Sequence, residues 1–163
     1  MVRKTKSEIK WVPLIVAILL CQFAGIVGSV FTASSVQTWY VTLQKPDFNP
    51  PSWLFGPVWI TLYTLMGISA YLVWDKGWKK NQVKVALLVF AVQLIMNSFW
   101  SILFFGLQSP SYAFIQIIFL WLFIVLTILK FYKISKTAGL LLIPYLLWVS
   151  FAAILNYYIW QLN

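Results

Sequence analysis

Side chains that carry acid, base or metal chemistry are scarce in this sequence, and the polar groups it does hold are placed for binding. Among 163 residues there is no histidine, one cysteine, Cys21, and three acids, Glu8, Asp47 and Asp75. Without imidazole there is no histidine general base and no histidine-ligated haem iron, and the several N or S ligands of a zinc site are missing, so no metal is expected. Cys21 has no partner for an intrachain disulfide. The acids stand far apart and outside the apolar runs, which leaves no carboxylate relay of the kind proton pumps use. Ten tryptophans and eight tyrosines remain, several of them at helical spacing with polar residues. Asn97 and Ser101 are four apart and share a face with Trp100. Trp59 and Tyr63 repeat that spacing, with Met66 and Gly67 beyond, as do Trp148 and Ala152, with Leu155 and Asn156 beyond. A buried asparagine is costly unless bonded. Asn97 and Asn156 therefore have two readings, as interhelical hydrogen bonds worth about 0.6–2 kcal/mol or as the polar wall of a pocket.

The elements that position these residues follow from composition. The chain is 62% hydrophobic and 9% charged, against roughly 45–50% and about 25% in soluble domains, and its mean hydropathy is +0.87. A soluble domain of this size is excluded. The net charge of +9 could suggest nucleic acid, but the basic residues sit between apolar runs, where they flank membrane spans. No nucleic-acid partner is expected. A bilayer core takes roughly 20 helical residues to cross, and five uncharged runs are long enough. The spacing predicts an all-α membrane protein, a single domain over 1–163 with a five-transmembrane-helix bundle at about 11–31, 52–74, 84–107, 111–132 and 138–161. A long outer loop, 32–51, carries Lys45-Pro46 and Pro50-Pro51. The first run is too long for a signal core of roughly 7–15 residues and is expected to remain as a helix. Gly25 and Gly28 allow close helix approach, and Pro144 is expected to bend the fifth helix from inside.

Charge gives orientation and depth gives a site. Arg3, Lys4, Lys6, Lys10, Lys76, Lys79, Lys80, Lys84, Lys130, Lys133 and Lys136 fall on one side and Lys45 alone on the other. The positive-inside rule then places the N-terminus in the cytoplasm and the C-terminus outside. At 1.5 Å per residue, Trp59 lies roughly 10 Å below the outer start of its helix and Asn97 roughly 15 Å below the outer end of its own. Trp148 lies near the midplane. These residues outline an aromatic cavity, open outward beneath the Pro-rich loop, the usual setting for a ligand between helices.

The segment Trp39-Tyr40-x-x-Leu43-x-Lys45-Pro46-x-x-x-Pro50-Pro51-x-Trp53-x-x-Gly56-Pro57-x-Trp59-x-x-Leu62-Tyr63-x-x-Met66-Gly67 resembles the translocator protein family, also known as tryptophan-rich sensory proteins, TspO/MBR, or peripheral benzodiazepine receptors. Asn97-x-x-Trp100-Ser101-x-x-Phe104-Phe105-Gly106 is similar to its third-helix signature, and Pro144-Tyr145-x-x-Trp148-x-x-Phe151-Ala152-x-x-Leu155-Asn156 to its fifth. The resemblance covers nearly the whole chain beyond the N-terminal tail. It implies five membrane helices, a homodimer, and a pocket for tetrapyrroles such as protoporphyrin IX and for benzodiazepine-site drugs, with no required cofactor. Matched position by position, Tyr40, Trp59, Asn97, Trp148 and Ala152 fall at the family's pocket positions, and Tyr63, Trp100 and Ser101 adjoin them on the same faces. Trp59 and Trp148 match the positions implicated in light-dependent breakdown of protoporphyrin IX. One departure stands in the loop: the family usually has Ser-Trp after the Lys-Pro pair, and here Asp47-Phe48 follows.

The resulting expectation is a multi-pass protein of the bacterial cytoplasmic membrane that binds a porphyrin as a sensor or regulator. A flat apolar macrocycle would stack between indole rings, with its propionates at the wetter outer mouth. Two alternatives stay open. One is an enzyme that degrades porphyrin under light, with Trp59 and Trp148 catalytic. The other is a transporter of porphyrins or other hydrophobic ligands, a reading weakened by the lack of charged intramembrane residues and inverted repeats.

Overall fold

The computed structural model describes residues 9–163; Arg3, Lys4, Lys6 and Glu8 lie outside the described residues. The helices are α1 (Trp11–Ser35), α2 (Ser52–Trp74), α3 (Asn81–Ser101), α4 (Pro110–Ile134), α5 (Lys136–Leu141) and α6 (Ile143–Leu162). A π-helical turn, Ile102–Gly106, extends α3, and α5 with α6 makes one span, Lys136–Leu162. Five segments are thus long and apolar enough to cross a membrane, and the chain is an all-helical, multi-pass integral membrane protein. Each run forms a helix because backbone groups in lipid must be satisfied within the segment. Only Cys21, Gly28 and Ser35 of α1 are buried. Its Val12, Ile15, Leu19, Phe23, Ile26 and Val30 are exposed, an apolar stripe that acyl chains satisfy and water would not.

The helices close into a ring. α1 packs on α2 and α3, α3 on α4, α4 on α5 and α6, and α5 back on α2. Small residues set the α1 contacts. A β-carbon on Gly67 would stand 2.5 Å from Ile18 Cα, and one on Gly28 3.0 Å from Ser101 Oγ. Side-chain bonds to backbone carbonyls fasten the same helices: Gln22 Nε2 donates to Ile60 O at 2.9 Å, Ser98 Oγ to Ala24 O at 2.8 Å, and Ser69 Oγ to Ala138 O at 2.7 Å.

Pro144 breaks the fifth span where a bend within one continuous helix was expected. α5 stops at Leu141, and Pro144 is the second residue of α6. Proline has no N–H to give the carbonyl of Leu140, and its ring crowds that carbonyl. Leu142 N–H turns instead to Gly139 O at 3.2 Å, and Leu146 N–H resumes the helix on Leu142 O at 3.0 Å.

The two ends of the bundle differ in charge. Lys10 Nζ pairs with Asp75 at 2.9 Å, and Lys10 N–H donates to Tyr71 Oη at 2.9 Å, which fixes the start of α1 beside the end of α2. Lys76, Lys79, Lys80, Lys84, Lys130, Lys133 and Lys136 share that end by helix alternation. The opposite end carries the long loop, with Lys45 as its one cation among the described residues. There Gln44 and Asn163 exchange two hydrogen bonds, each 3.0 Å, tying the loop to the end of α6.

Candidate functional site

A buried polar chain crosses the middle of the bundle. Tyr63 Oη on α2 donates to Asn97 Oδ1 on α3. Asn97 Nδ2 donates to Tyr145 Oη on α6 at 2.9 Å, and Tyr145 Oη donates to Gln93 Oε1 on α3 at 2.9 Å. All four residues are buried. Each donor points along the chain in one direction, and it ends on Gln93 Nε2, which is buried without a partner. Such a group retains a desolvation cost of about 1–3 kcal/mol until an acceptor reaches it.

Aromatic rings cover this chain on the side of the long loop. Trp59 stacks on Tyr63 with centroids 5.5 Å apart and meets Tyr145 edge-on at 6.4 Å. One turn beyond Tyr145, Trp148 packs against Phe55 at 5.9 Å and Phe151 at 5.6 Å. Side chains of α2 and α6 therefore bridge the seam between these helices. The rings close on one another, so the open cavity expected from depth alone is filled here by aromatic packing, as apolar interiors exclude voids. Beside this seam a groove of about 260 Å³ runs along Pro57, Val58, Thr61, Leu62 and Leu65 to Pro144.

A second cluster sits under the loop. Tyr40 is buried against Phe104 and Phe105 and donates to Asn49 Oδ1 at 2.8 Å. Burial pushes its phenol up to about 12, which keeps it a neutral donor. Lys45 Nζ lies 4.9 Å from the Tyr40 ring centre and donates to the carbonyls of Tyr40 and Leu43 at 2.7 and 2.8 Å. Trp100 stacks on Phe104 at 4.9 Å, and its Nε1 donates to Asn156 Oδ1 at 3.0 Å, while Asn156 Nδ2 donates to Pro110 O at 2.7 Å. Phe48 packs on Tyr158 at 5.4 Å and on Phe151 at 6.3 Å, so the loop keeps an aromatic over α6 although the sequence departs there.

The eight residues singled out from sequence thus separate into groups. Trp59 stacks on Tyr63, and Tyr63 bonds to Asn97. Trp148, with Ala152 a turn beyond, packs on the same core. Tyr40 belongs to the cluster under the loop, and Trp100 borders both clusters. Ser101 faces Gly28 of α1, since four residues advance a helix by slightly more than one turn. Asn156 is interhelical glue, as its bonds to Trp100 and Pro110 show. Two residues of the polar chain were not singled out as site residues. Tyr145 lay within the fifth-helix signature, and Gln93 stands four residues before Asn97, a spacing that could have flagged it.

Comparison with known proteins agrees with these features. Residues 17–161 match the TspO/MBR family. The chain is 52% identical to the tryptophan-rich protein TspO of Chlorobaculum tepidum over 88% of this chain and 91% of that protein. It is 37% identical to the translocator protein of Homo sapiens, with 94% and 91% covered. It is 36% identical to the tryptophan-rich sensory protein of Cereibacter sphaeroides, with 77% of each covered.

Proposed function

This chain belongs to the TspO/MBR family, and we propose that it is a membrane receptor for a planar tetrapyrrole, bound in the seam between α2 and α6. The observation that carries the proposal is the makeup of that seam, where Trp59, Tyr145, Phe55 and Trp148 join the two helices through ring contacts above a buried polar chain. Ring-to-ring contacts can be exchanged for ring-to-macrocycle contacts of the same kind. The spare donor of Gln93 offers an acceptor a bond that the protein leaves unmade. Propionates would sit at the loop mouth, where Lys45 supplies the positive charge. Relatives carry both names, sensory protein and translocator protein, so the receptor reading rests on the seam itself.

A second reading, light-driven breakdown of the bound porphyrin, is favoured by the stacking of Trp59 on Tyr63, which puts two oxidisable rings side by side. One experiment tests both. Protoporphyrin IX is added to purified protein in the dark, and affinity is read by fluorescence quenching. The bleaching rate per bound porphyrin is then read under light. Trp59→Phe and Trp148→Phe keep a ring, so binding should weaken by about 1 kcal/mol while bleaching falls much further. Asn97→Leu should lower affinity or stability by about 1 kcal/mol and leave bleaching per bound porphyrin unchanged. Failure of wild-type protein to bind the porphyrin saturably refutes the receptor. Equal bleaching in all forms refutes the photochemistry.

We also propose that the lysine-rich end faces the cytoplasm, on the charge asymmetry of the spans. In a Cys21→Ser background, cysteines at Ser52 and Ser109 should label in intact cells, and a cysteine at Ser135 only after the membrane is opened. Labelling of Ser135 in intact cells reverses the orientation.

A further inference from the structure

At the lysine-rich end a depression of about 270 Å³ lies between the start of α3 and the end of α4, lined by Asn81, Gln82, Val85, Lys130, Lys133 and Ile134. Its wall is of two kinds. Two ammonium groups and two amides stand at the helix ends, and two aliphatic side chains form the rest. Among the described residues the only ion pair joins Lys10 to Asp75, so neither lysine of the depression is neutralised. Lys130 is half-buried, and it is set back from the end of α4 by four residues, or about 6 Å. A lysine at that depth buries its stem along apolar surface and carries its charge up to the headgroup level. Val85 continues, one turn further along α3, into Leu88, and Lys130 is followed one turn deeper on α4 by Leu126; both leucines are exposed. The start of α3 adds to the positive potential, since Lys80 gives it no side-chain cap and no acid stands in its first turn.

We propose that this depression binds the headgroup of an anionic glycerophospholipid. Its phosphate is held by Lys130 and Lys133, and its polar glycerol by the amides of Asn81 and Gln82. One acyl chain runs over Val85 toward Leu88 and Leu126. A cationic pocket between membrane helices, open to lipid on its apolar side, suits such a headgroup. Phosphatidylcholine fits less well because its own ammonium would approach the lysines. A soluble phosphate would leave the aliphatic part of the depression uncovered. The occupant is therefore a lipid, and the site is independent of the tetrapyrrole seam.

The test offers purified protein equal amounts of phosphatidylglycerol and phosphatidylcholine in detergent and reads retained lipid by native mass spectrometry. Wild-type protein should retain phosphatidylglycerol preferentially. Lys130→Gln with Lys133→Gln should lower that retention by about twenty-five-fold, taking each lysine near the surface as roughly fivefold. Lys130→Arg with Lys133→Arg should restore it. Lys76→Gln with Lys79→Gln removes the same charge from the neighbouring loop and should leave retention near wild type. Val85→Glu, which sets an acid against the acyl chain and leaves both lysines in place, should also abolish the preference; it carries the test if the glutamine pair fails to fold. The proposal is overturned if both glutamine pairs lower retention equally, since a diffuse field then suffices. It is also overturned if the two lipids are retained equally, or if glycerol phosphate displaces phosphatidylglycerol as well as the intact lipid does.

Discussion

α2 meets α1 along one seam and α6 along another. Toward α1, Gly67 brings two backbones together at Ile18, and Gln22 bonds directly to Ile60 O. Toward α6, Trp59, Phe55, Tyr145 and Trp148 hold the helices apart with rings. The first seam is closed by what its residues lack, because a missing β-carbon lets backbone atoms touch and leaves nothing that can move aside. The second is filled by side chains whose contacts a flat ligand could take over. Tyr63 joins the two seams. Its ring lies where a β-carbon on Gly25 would be, and its hydroxyl begins the polar chain. Helix α2 is thus held by backbone contact on one side and by rings on the other, with one tyrosine touching both.

The largest expected effect breaks the closed seam. Gly67→Val places its β-carbon 2.5 Å from Ile18 Cα, a backbone atom that cannot swing away. Overpacking of this kind costs about 3 kcal/mol or more, and the thermal midpoint in detergent should collapse. Next comes the polar chain. Tyr145→Phe removes the hydroxyl that accepts from Asn97 and donates to Gln93, leaving both without that partner at about 1–3 kcal/mol. The midpoint should fall, with less loss in Gln93→Leu, which removes the end of the chain. Gly25→Ala should displace the Tyr63 ring from Asn97 and cost about 1 kcal/mol, one hydrogen bond. A measurable loss of dark porphyrin affinity in the same variant would show the coupling between seams. Gly28→Ala should be the smallest. Its β-carbon comes closest to the rotatable Ser101 Oγ at 3.0 Å, with the backbone Ser98 Cα at an ordinary 3.8 Å, and alanine regains up to about 1 kcal/mol of helix propensity, so the midpoint should stay near wild type. If Gly28→Ala is as damaging as Gly67→Val, the distinction between backbone contact and yielding side chain is wrong.

Much of this was legible in the chain itself. Five spans followed from run length, because a bilayer imposes a fixed crossing distance and forces helices across it. The clustering of lysines at one end followed from alternation of the same runs. Trp59, Tyr63 and Asn97 could be grouped from helical spacing and depth, and Tyr63 does join the other two. Ser101, grouped with them by the same spacing, faces Gly28 of α1, since spacing alone does not fix which neighbour a face meets. The break at Pro144 was read as a bend, because a proline disrupts a helix whether the chain then kinks or restarts, and local sequence does not choose between the two.

Sequence determined what had to be inside the membrane and which polar side chains would need partners there, since both follow from transfer costs that each residue carries with it. Only the tertiary structure decided who the partners were. That Tyr63 bonds to Asn97, that Tyr145 continues the chain to Gln93, and that Gln93 Nε2 is left over depend on how helices far apart in sequence are rotated against one another. The rotation is set by Gly67 against Ile18 and by rings on the opposite helix. It is a property of packed pairs and is written in no single run.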